Sequence, residues 1–441
     1  MPHRLRFIAT GLVICLVGCG RPHGPPQPAP AAITGDAAKA EELSGEELTF
    51  GALDYPQWRN IDLNGVESER PVPVEWSAAS GVVWSTPIPG EGHSSPIISQ
   101  GLVFLTTADE QAQTQSVLAL DATTGNQKWL TQVHQGNLPR KHPKNSHASA
   151  TPASDGERVY AAFINGNALH VTALNASDGR IAWTKEVGPF NSEHGYGSSV
   201  LLWKGMIFVN GDSRGSGYEA ALDRHSGDII WRSPRPGVGG HGSYATPIIA
   251  ELAGKPQLIQ SGLGKVTSYD PLTGKELWHC EGPTEVTANT LAVHGNNVIV
   301  SGGYPDKEIL CIKADGSGNV TKSHVVWRNS KNVAYVPSPT VTGNKLYTVT
   351  DNGILCALDV QEGEMLWQER LGGNFSASPL VVGSTFYIPN EGGEVFVFKT
   401  EPEYQLLSRN QLDDEGGMAS LTVSESRLFI RTRHKLYCIG K

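Results

Sequence analysis

Short apolar runs, each closed by Asp or Asn and followed by a polar turn, a Gly and then a Trp, recur along the chain. The clearest copy is Ala119-Leu-Asp121-Ala-Thr-Thr-Gly125-Asn-Gln-Lys-Trp129. Further copies run from Ala173 through Asn175 and Gly179 to Trp183, and from Ala221 through Asp223 and Gly227 to Trp231. Others join Asp270, Gly274 and Trp278, then Asp359, Gly363 and Trp367. A stretched copy spans Asp315 to Trp327, and the last has decayed to Phe396-Val-Phe398 with Leu407 in place of Trp. Trp84 precedes the first full copy by one period. Each run predicts a strand. The Asp bonds the backbone that follows it and starts a turn. The Gly takes the positive-φ position of a bulged hairpin loop. The Trp opens an outermost strand, where its ring can wedge against the next sheet.

The markers stand at 84, 129, 183, 231, 278, 327, 367 and 407, a spacing of 40 to 54 residues. One four-stranded propeller blade has this period, so eight markers predict an all-β, eight-bladed β-propeller. A second signal follows most Trp markers: Ser95-Pro96, Thr151-Pro152, Thr246-Pro247, Ser338-Pro339 and Ser378-Pro379. It marks the innermost strand. Runs such as Leu102-Val-Phe-Leu105 and Leu346-Tyr-Thr-Val349 mark the second strand. The segment from Ser420 to Lys441 holds only about three strands. The stretch Gly81-Val-Val-Trp84-Ser-Thr supplies the fourth, so strands from both ends close the ring and leave no free edge.

Composition adds little to that fold and more to the ends. Among 441 residues, 18% are charged and 39% apolar, with 50 Gly and 28 Pro, as many tight turns require. The formal charge is −9 without a basic tract, which excludes nucleic acid as a partner. Arg4 and Arg6 precede an almost wholly apolar stretch from Phe7 to Gly18, too short to span a bilayer. This reads as a secretory signal over residues 1–18. Leu16-Val17-Gly18-Cys19 resembles a bacterial lipobox, which implies that Cys19 is the lipidation site and the first mature residue. Residues 19–50 begin with a Pro-rich run and predict a disordered tether below a propeller over 51–441. Acyl chains on Cys19 would then be the chain's only hold on a membrane. Cys280, Cys311, Cys356 and Cys438 fall within strand runs or beside them and read as buried hydrophobes rather than disulfide partners.

The Ala-x-Asp-x-x-Thr-Gly-x-x-x-Trp repeat resembles the PQQ-like propeller repeat, and the likeness covers about residues 55 to 441. Quinoprotein alcohol dehydrogenases and BamB, a lipoprotein of the outer-membrane assembly machinery, share it. Tyr55-Pro-Gln-Trp58-Arg59 and Lys144-Asn145-Ser146-His147 are similar to stretches in exported PQQ-like proteins without an assigned activity. The resemblance implies a fold far more strongly than a function. A dehydrogenase of this type needs acidic and amide ligands for a metal, an Asp base over the quinone and often a vicinal Cys pair. No Cys-Cys pair, Cys-x-x-Cys-His, Gly-x-Ser-x-Gly, Walker-type loop or His-Glu-x-x-His occurs. The sequence therefore predicts a non-catalytic envelope scaffold without cofactor, binding an envelope protein, peptide or polymer. A quinoprotein-like oxidoreductase, with PQQ and Ca²⁺ as its cofactors, or an enzyme that uses a cluster of histidines on one face, is the alternative.

One constellation stands out. His93, His147, His194 and His241 each lie just before the innermost strand of blades one to four. Glu285, Tyr335, Asn374 and Met418 take that position in blades five to eight. These linkers emerge on one face. With Arg140, Lys144, Glu193, Tyr196 and Tyr244 they form the candidate ligand-binding face. Trp84, Trp129, Trp183, Trp231, Trp278, Trp327 and Trp367 are the docking residues between blades. Three roles for the histidines remain open: backbone bonding between blades, capture of an anion or acidic peptide, or a metal site with Glu193.

Overall fold

A computed structural model describes residues 30–237 and 240–441. Each repeat folds as an antiparallel sheet running from the hub outward, and eight such sheets stand in a ring. Blade 1 is typical: Ile97–Ser99 innermost, then Leu102–Asp109, Thr114–Asp121 and, outermost, Gln127–Gln135 with Trp129. The same order repeats through blade 7. Blade 8 takes Thr422–Ser424, Arg427–Arg431 and Lys435–Ile439 from the C-terminus and its outer strand, Val82–Pro87, from the N-terminal side. The ring closes as the repeat count requires.

The motif residues join neighbouring blades. Trp129 of blade 1 lies on Gly179 in the turn of blade 2, where a Cβ would sit 2.5 Å from the ring. Its Nε1 donates to the Ala176 carbonyl at 2.9 Å, and Thr131 Oγ1 donates to the Gly179 carbonyl at 2.8 Å. Trp84, Trp183, Trp231 and Trp327 repeat the indole bond to Ala122, Arg224, Pro271 and Val360. Trp278 departs from this. Fully buried, it donates to Gln257 of its own blade at 2.8 Å. Its strand gains a parallel neighbour, Gly318–Asn319, from the stretched fifth copy. Trp367 packs against Tyr404, ring centres 6.2 Å apart. The repeat's Asp residues do turn chemistry: Asp121 Oδ1 accepts the amides of Thr123 and Thr124. Cys280, Cys311, Cys356 and Cys438 are free and buried. Burial pushes the Cys356 thiol up to about 11 and those of Cys311 and Cys438 to about 12.

The Ser/Thr-Pro signals build a belt around the hub. The Ser95 amide donates to Thr151 Oγ1, the Thr151 amide to Ser199 Oγ and the Ser199 amide to Thr246 Oγ1. Across the ring, Thr290 donates to Ser338, Ser338 to Ser378, Ser378 to Ser420 and Ser420 back to Ser95. These seven bonds, 2.8–3.1 Å long, satisfy the linker amides from the adjacent blade rather than from the same sheet.

The tether expectation needs correction over its second half. Ile33 exchanges backbone bonds with Arg232 on blade 3. Ala37–Ser44 is an α-helix capped by Asp36, whose side chain accepts the Lys39 amide. Ala40 and Leu43, three positions apart on one helix face, are completely buried in the cluster of blades 3 and 4. Leu48 and Phe50 continue the packing. The Pro content of residues 21–30 obscures a helix-forming stretch behind it, Ala37-Ala-Lys-Ala-Glu-Glu-Leu. The signal segment, Cys19 and the first part of the tether lie outside the described residues. Among the described residues no helix is long and apolar enough to cross a membrane.

Candidate functional site

After Phe50 the chain crosses to the hub. Tyr55 pairs with Ile98 of blade 1, and the Pro56 carbonyl accepts the Ser154 amide of blade 2 at 2.8 Å. Gln57 Oε1 accepts the Leu202 amide of blade 3 at 2.8 Å. Trp58 Nε1 donates to Thr290 of blade 5 at 2.7 Å, and Arg59 donates to Pro339 and Thr340 of blade 6. Val66–Glu67 then pairs with the innermost strand of blade 7. The Tyr55–Arg59 segment thus touches most of the ring. It forms the floor of a funnel that opens on the face of the inter-blade linkers.

The funnel encloses about 820 Å³ above Trp58. His93, Lys144, Glu193, His194, His241 and Tyr244 line it, as do Tyr335, Asn374 and Met418. Arg140, His147, Tyr196 and Glu285 are not among its lining residues. Tyr196 is buried and donates to the Asn210 carbonyl at 2.9 Å. His147 faces Glu110, Nε2 to Oε1 3.8 Å, with its side chain only 8% exposed. Glu285 accepts from His241 Nδ1 at 2.9 Å and from the amides of Gly240 and His241. The linker ends carry some of the expected side chains into the opening and turn others into the blade packing.

Sequence reasoning missed a second set. Tyr304, Lys307, Asp351, Asn352 and Glu391 also line the funnel. They sit on the hairpins between second and third strands, which end on the same face. The polar tips Tyr304-Pro-Asp-Lys307 and Asp351-Asn-Gly353, each between the second and third apolar runs of a repeat, were the available clue. These loops pair the cations. Lys144 Nζ meets Glu391 at 2.9 Å and Lys307 Nζ meets Asp351 at 3.4 Å. Glu391 also accepts from Ser376 at 2.7 Å, and Asp351 from the amides of Tyr335 and Val336.

Burial disfavours the charged form of two of these imidazoles. Burial, with the nearby Arg431 charge, pushes His93 down to about 4. Burial also lowers His194, whose Nδ1 lies 2.9 Å from the Tyr244 hydroxyl. His142 lies beside His194 with its ring tilted by 60°, ring centres 5.7 Å apart. Among the described residues no three His, Cys, Asp or Glu side chains converge tightly enough to hold a metal ion.

A family model described as Outer membrane protein assembly factor BamB matches residues 65–191, 136–323 and 266–441. The chain belongs to the BamB family. Its Yersinia pestis relative, named Outer membrane protein assembly factor BamB, is 22% identical over 384 residues, covering 83% of this chain and 91% of that one. The Salmonella typhimurium BamB is 25% identical over 387 residues, covering 82% and 89%. A Quinoprotein ethanol dehydrogenase of Pseudomonas aeruginosa is 26% identical over 288 residues, or 61% of this chain and 42% of the enzyme. The crystal structure of BamB from Moraxella catarrhalis superposes with TM-score 0.57 at 15% identity, covering 82% of this chain and 97% of that one. A europium-containing methanol dehydrogenase superposes with TM-score 0.64 at 11% identity, covering 92% and 100%. Both show a shared fold.

The dehydrogenase likeness raises the question of a quinone and its metal in this BamB-family funnel. The donor set does not fit. Lys144 and Ser376 occupy Glu391, and Lys307 with two amides occupies Asp351. Glu193 is the funnel carboxylate with an oxygen lacking any hydrogen-bond partner. The four described cysteines stand in separate blades, none beside another.

Proposed function

We propose that this chain is an exported, lipid-anchored binding protein of the bacterial envelope that presents its funnel face to a protein, peptide or polymer partner and carries out no redox chemistry. The observation that supports this most is the pairing inside the funnel. Its cations and most of its carboxylates bond one another, so what remains are aromatic and imidazole rings, hydroxyls and amides on a rigid frame. That inventory suits recognition, for which loops on a stiff scaffold are well placed. Membership in the BamB family, whose named members are outer-membrane assembly factors, supports an envelope partner. The mixed cation and carboxylate pairs weaken the anion-binding reading of the histidine cluster.

Quinone titration tests the catalytic alternative. Full-length protein mixed with PQQ and calcium is expected to show no saturable change in quinone absorbance and no dye-linked alcohol oxidation. Saturable binding with turnover contradicts the proposal. The anchor is tested separately: Cys19→Ser is expected to abolish incorporation of labelled fatty acid, and retained label contradicts the lipid assignment.

A further inference from the structure

Three features of the funnel decide what class of ligand it can take. The first is its backbone. The amides at Ser95, Thr151, Ser199, Thr290, Ser338, Ser378 and Ser420 already donate to hydroxyls of the next blade. A peptide that binds by adding a strand needs a free row of N–H and C=O groups. These linkers offer it no such row, so recognition falls to side chains.

The second feature is charge. Lys144 and Lys307 are each held by a carboxylate, at 2.9 Å and 3.4 Å. Glu193 keeps Oε2 without a hydrogen-bond partner. An anionic ligand would have to break existing ion pairs and approach an unpaired carboxylate. The third feature is the set of groups left over. The Tyr304 and Tyr335 hydroxyls and the Asn374 side-chain amide make no hydrogen bond within the described protein. The Trp58 indole is pinned by its 2.7 Å bond to Thr290. Tyr304 is 46% exposed, its ring edge-on to His241 with centres 5.0 Å apart.

A pyranose ring complements this set. Its C–H face is apolar and packs on aromatic faces. Its hydroxyls donate and accept at once, as a lining of carboxylate, amide and phenol requires. The cavity of about 820 Å³ lies within the roughly 300–1,000 Å³ of small-ligand sites. We infer that the funnel is a saccharide site, taking the end or a short stretch of an uncharged glycan chain against Trp58, Tyr304 and Tyr335, with Glu193 and Asn374 binding its hydroxyls. This rests on the reading of the funnel as a binding face and names its ligand class.

The test is calorimetric titration of full-length protein in detergent with cellotriose, maltotriose and tri-N-acetylchitotriose. A hexaglutamate peptide and an extended threonine–valine peptide serve as competing classes. At least one trisaccharide is expected to bind one-to-one with Kd at or below about 1 mM. Glu193→Gln and Tyr335→Ala should each weaken it about tenfold, with unchanged melting curves. Leu366→Ala on the circumference should leave it unchanged. Saturation by either peptide and by no sugar overturns the inference. So does sugar binding that the funnel variants leave intact. If no probe binds while the funnel still cross-links to an envelope component in cells, the saccharide assignment fails and the binding face stands.

Discussion

Gly179 serves two requirements that are easily confused. Its φ of +71° favours glycine in the turn, and the Trp129 ring occupies the space a Cβ would fill. Gly166 has φ +59°, with nothing within 4 Å of the place a Cβ would take. Gly166→Ala should therefore cost the left-handed penalty alone, about 1–2 kcal/mol. Gly179→Ala should cost a further 1–3 kcal/mol or so, because the indole must give way. Chemical denaturation of the two variants checks the difference; equal losses would mean that the ring does not dock on the turn. Histidine supplies a second residue-scale prediction. His93 and His134 are both pushed down to about 4, chiefly by burial. Their ordinary value is about 6.5. Between those values the unfolded chain binds protons that the folded chain refuses, so stability is full above about pH 6.5 and falls toward pH 4. The buried His93 should contribute about 3 kcal/mol to that loss, and His134, which lies closer to solvent, less. His134→Gln should shrink the drop in denaturation midpoint between pH 7 and 4.5, and an unchanged drop would contradict the assignment.

At the scale of elements, the N-terminal strap behaves as a packed part of the wheel. Leu43 is fully buried between Leu201, Ile230 and their neighbours, and Lys204 and Gly205 bond the carbonyls of Ser44 and Leu43. Leu43→Ala should cost about 2–4 kcal/mol of helix docking. Limited proteolysis should then cut within residues 30–50 while the propeller stays resistant. Resistance equal to the parent protein would show that the helix is held by something else. This strap is where sequence reading fell short. A Pro-rich run sets the apparent character of its whole neighbourhood, and one short helix with two apolar positions gives too weak a period to stand out. The blades were legible because most copies keep the Asp or Asn, Gly and Trp that the turn and the docking contact call for. The decayed copy at Leu407 and the stretched copy at Trp327 still fell into place because the ring fixes how many sheets must follow. Tyr55–Arg59 was visible as a motif, but its position in the hub was not, since its partners lie on five blades far apart in sequence.

The whole molecule is a wheel tied three ways: by indoles at its circumference, by the hydroxyl belt at its hub, and by the strap that crosses beneath and supplies the outer strand of blade 8. That last tie joins residues at opposite ends of the chain, Val82–Pro87 against Lys435–Ile439. Contacts so distant in sequence make folding slow. The Tyr55–Arg59 floor makes the hub one-sided, so the proposed binding face lies on one side of the wheel. The linkers to that face were identifiable from the repeat, because every copy places its inter-blade segment on the same side. The Tyr304, Asp351 and Glu391 hairpins were harder to place, because their tips differ from one repeat to the next and only their polarity marks them. The most direct test of one-sided recognition is photo-cross-linking in intact cells, with a probe residue introduced in turn at Tyr304, Asn374 and Met418 on the funnel, and at Leu130, Ile181 and Leu366 on the circumference. The account predicts discrete adducts from the funnel positions alone. Adducts from the circumference with none from the funnel would contradict it.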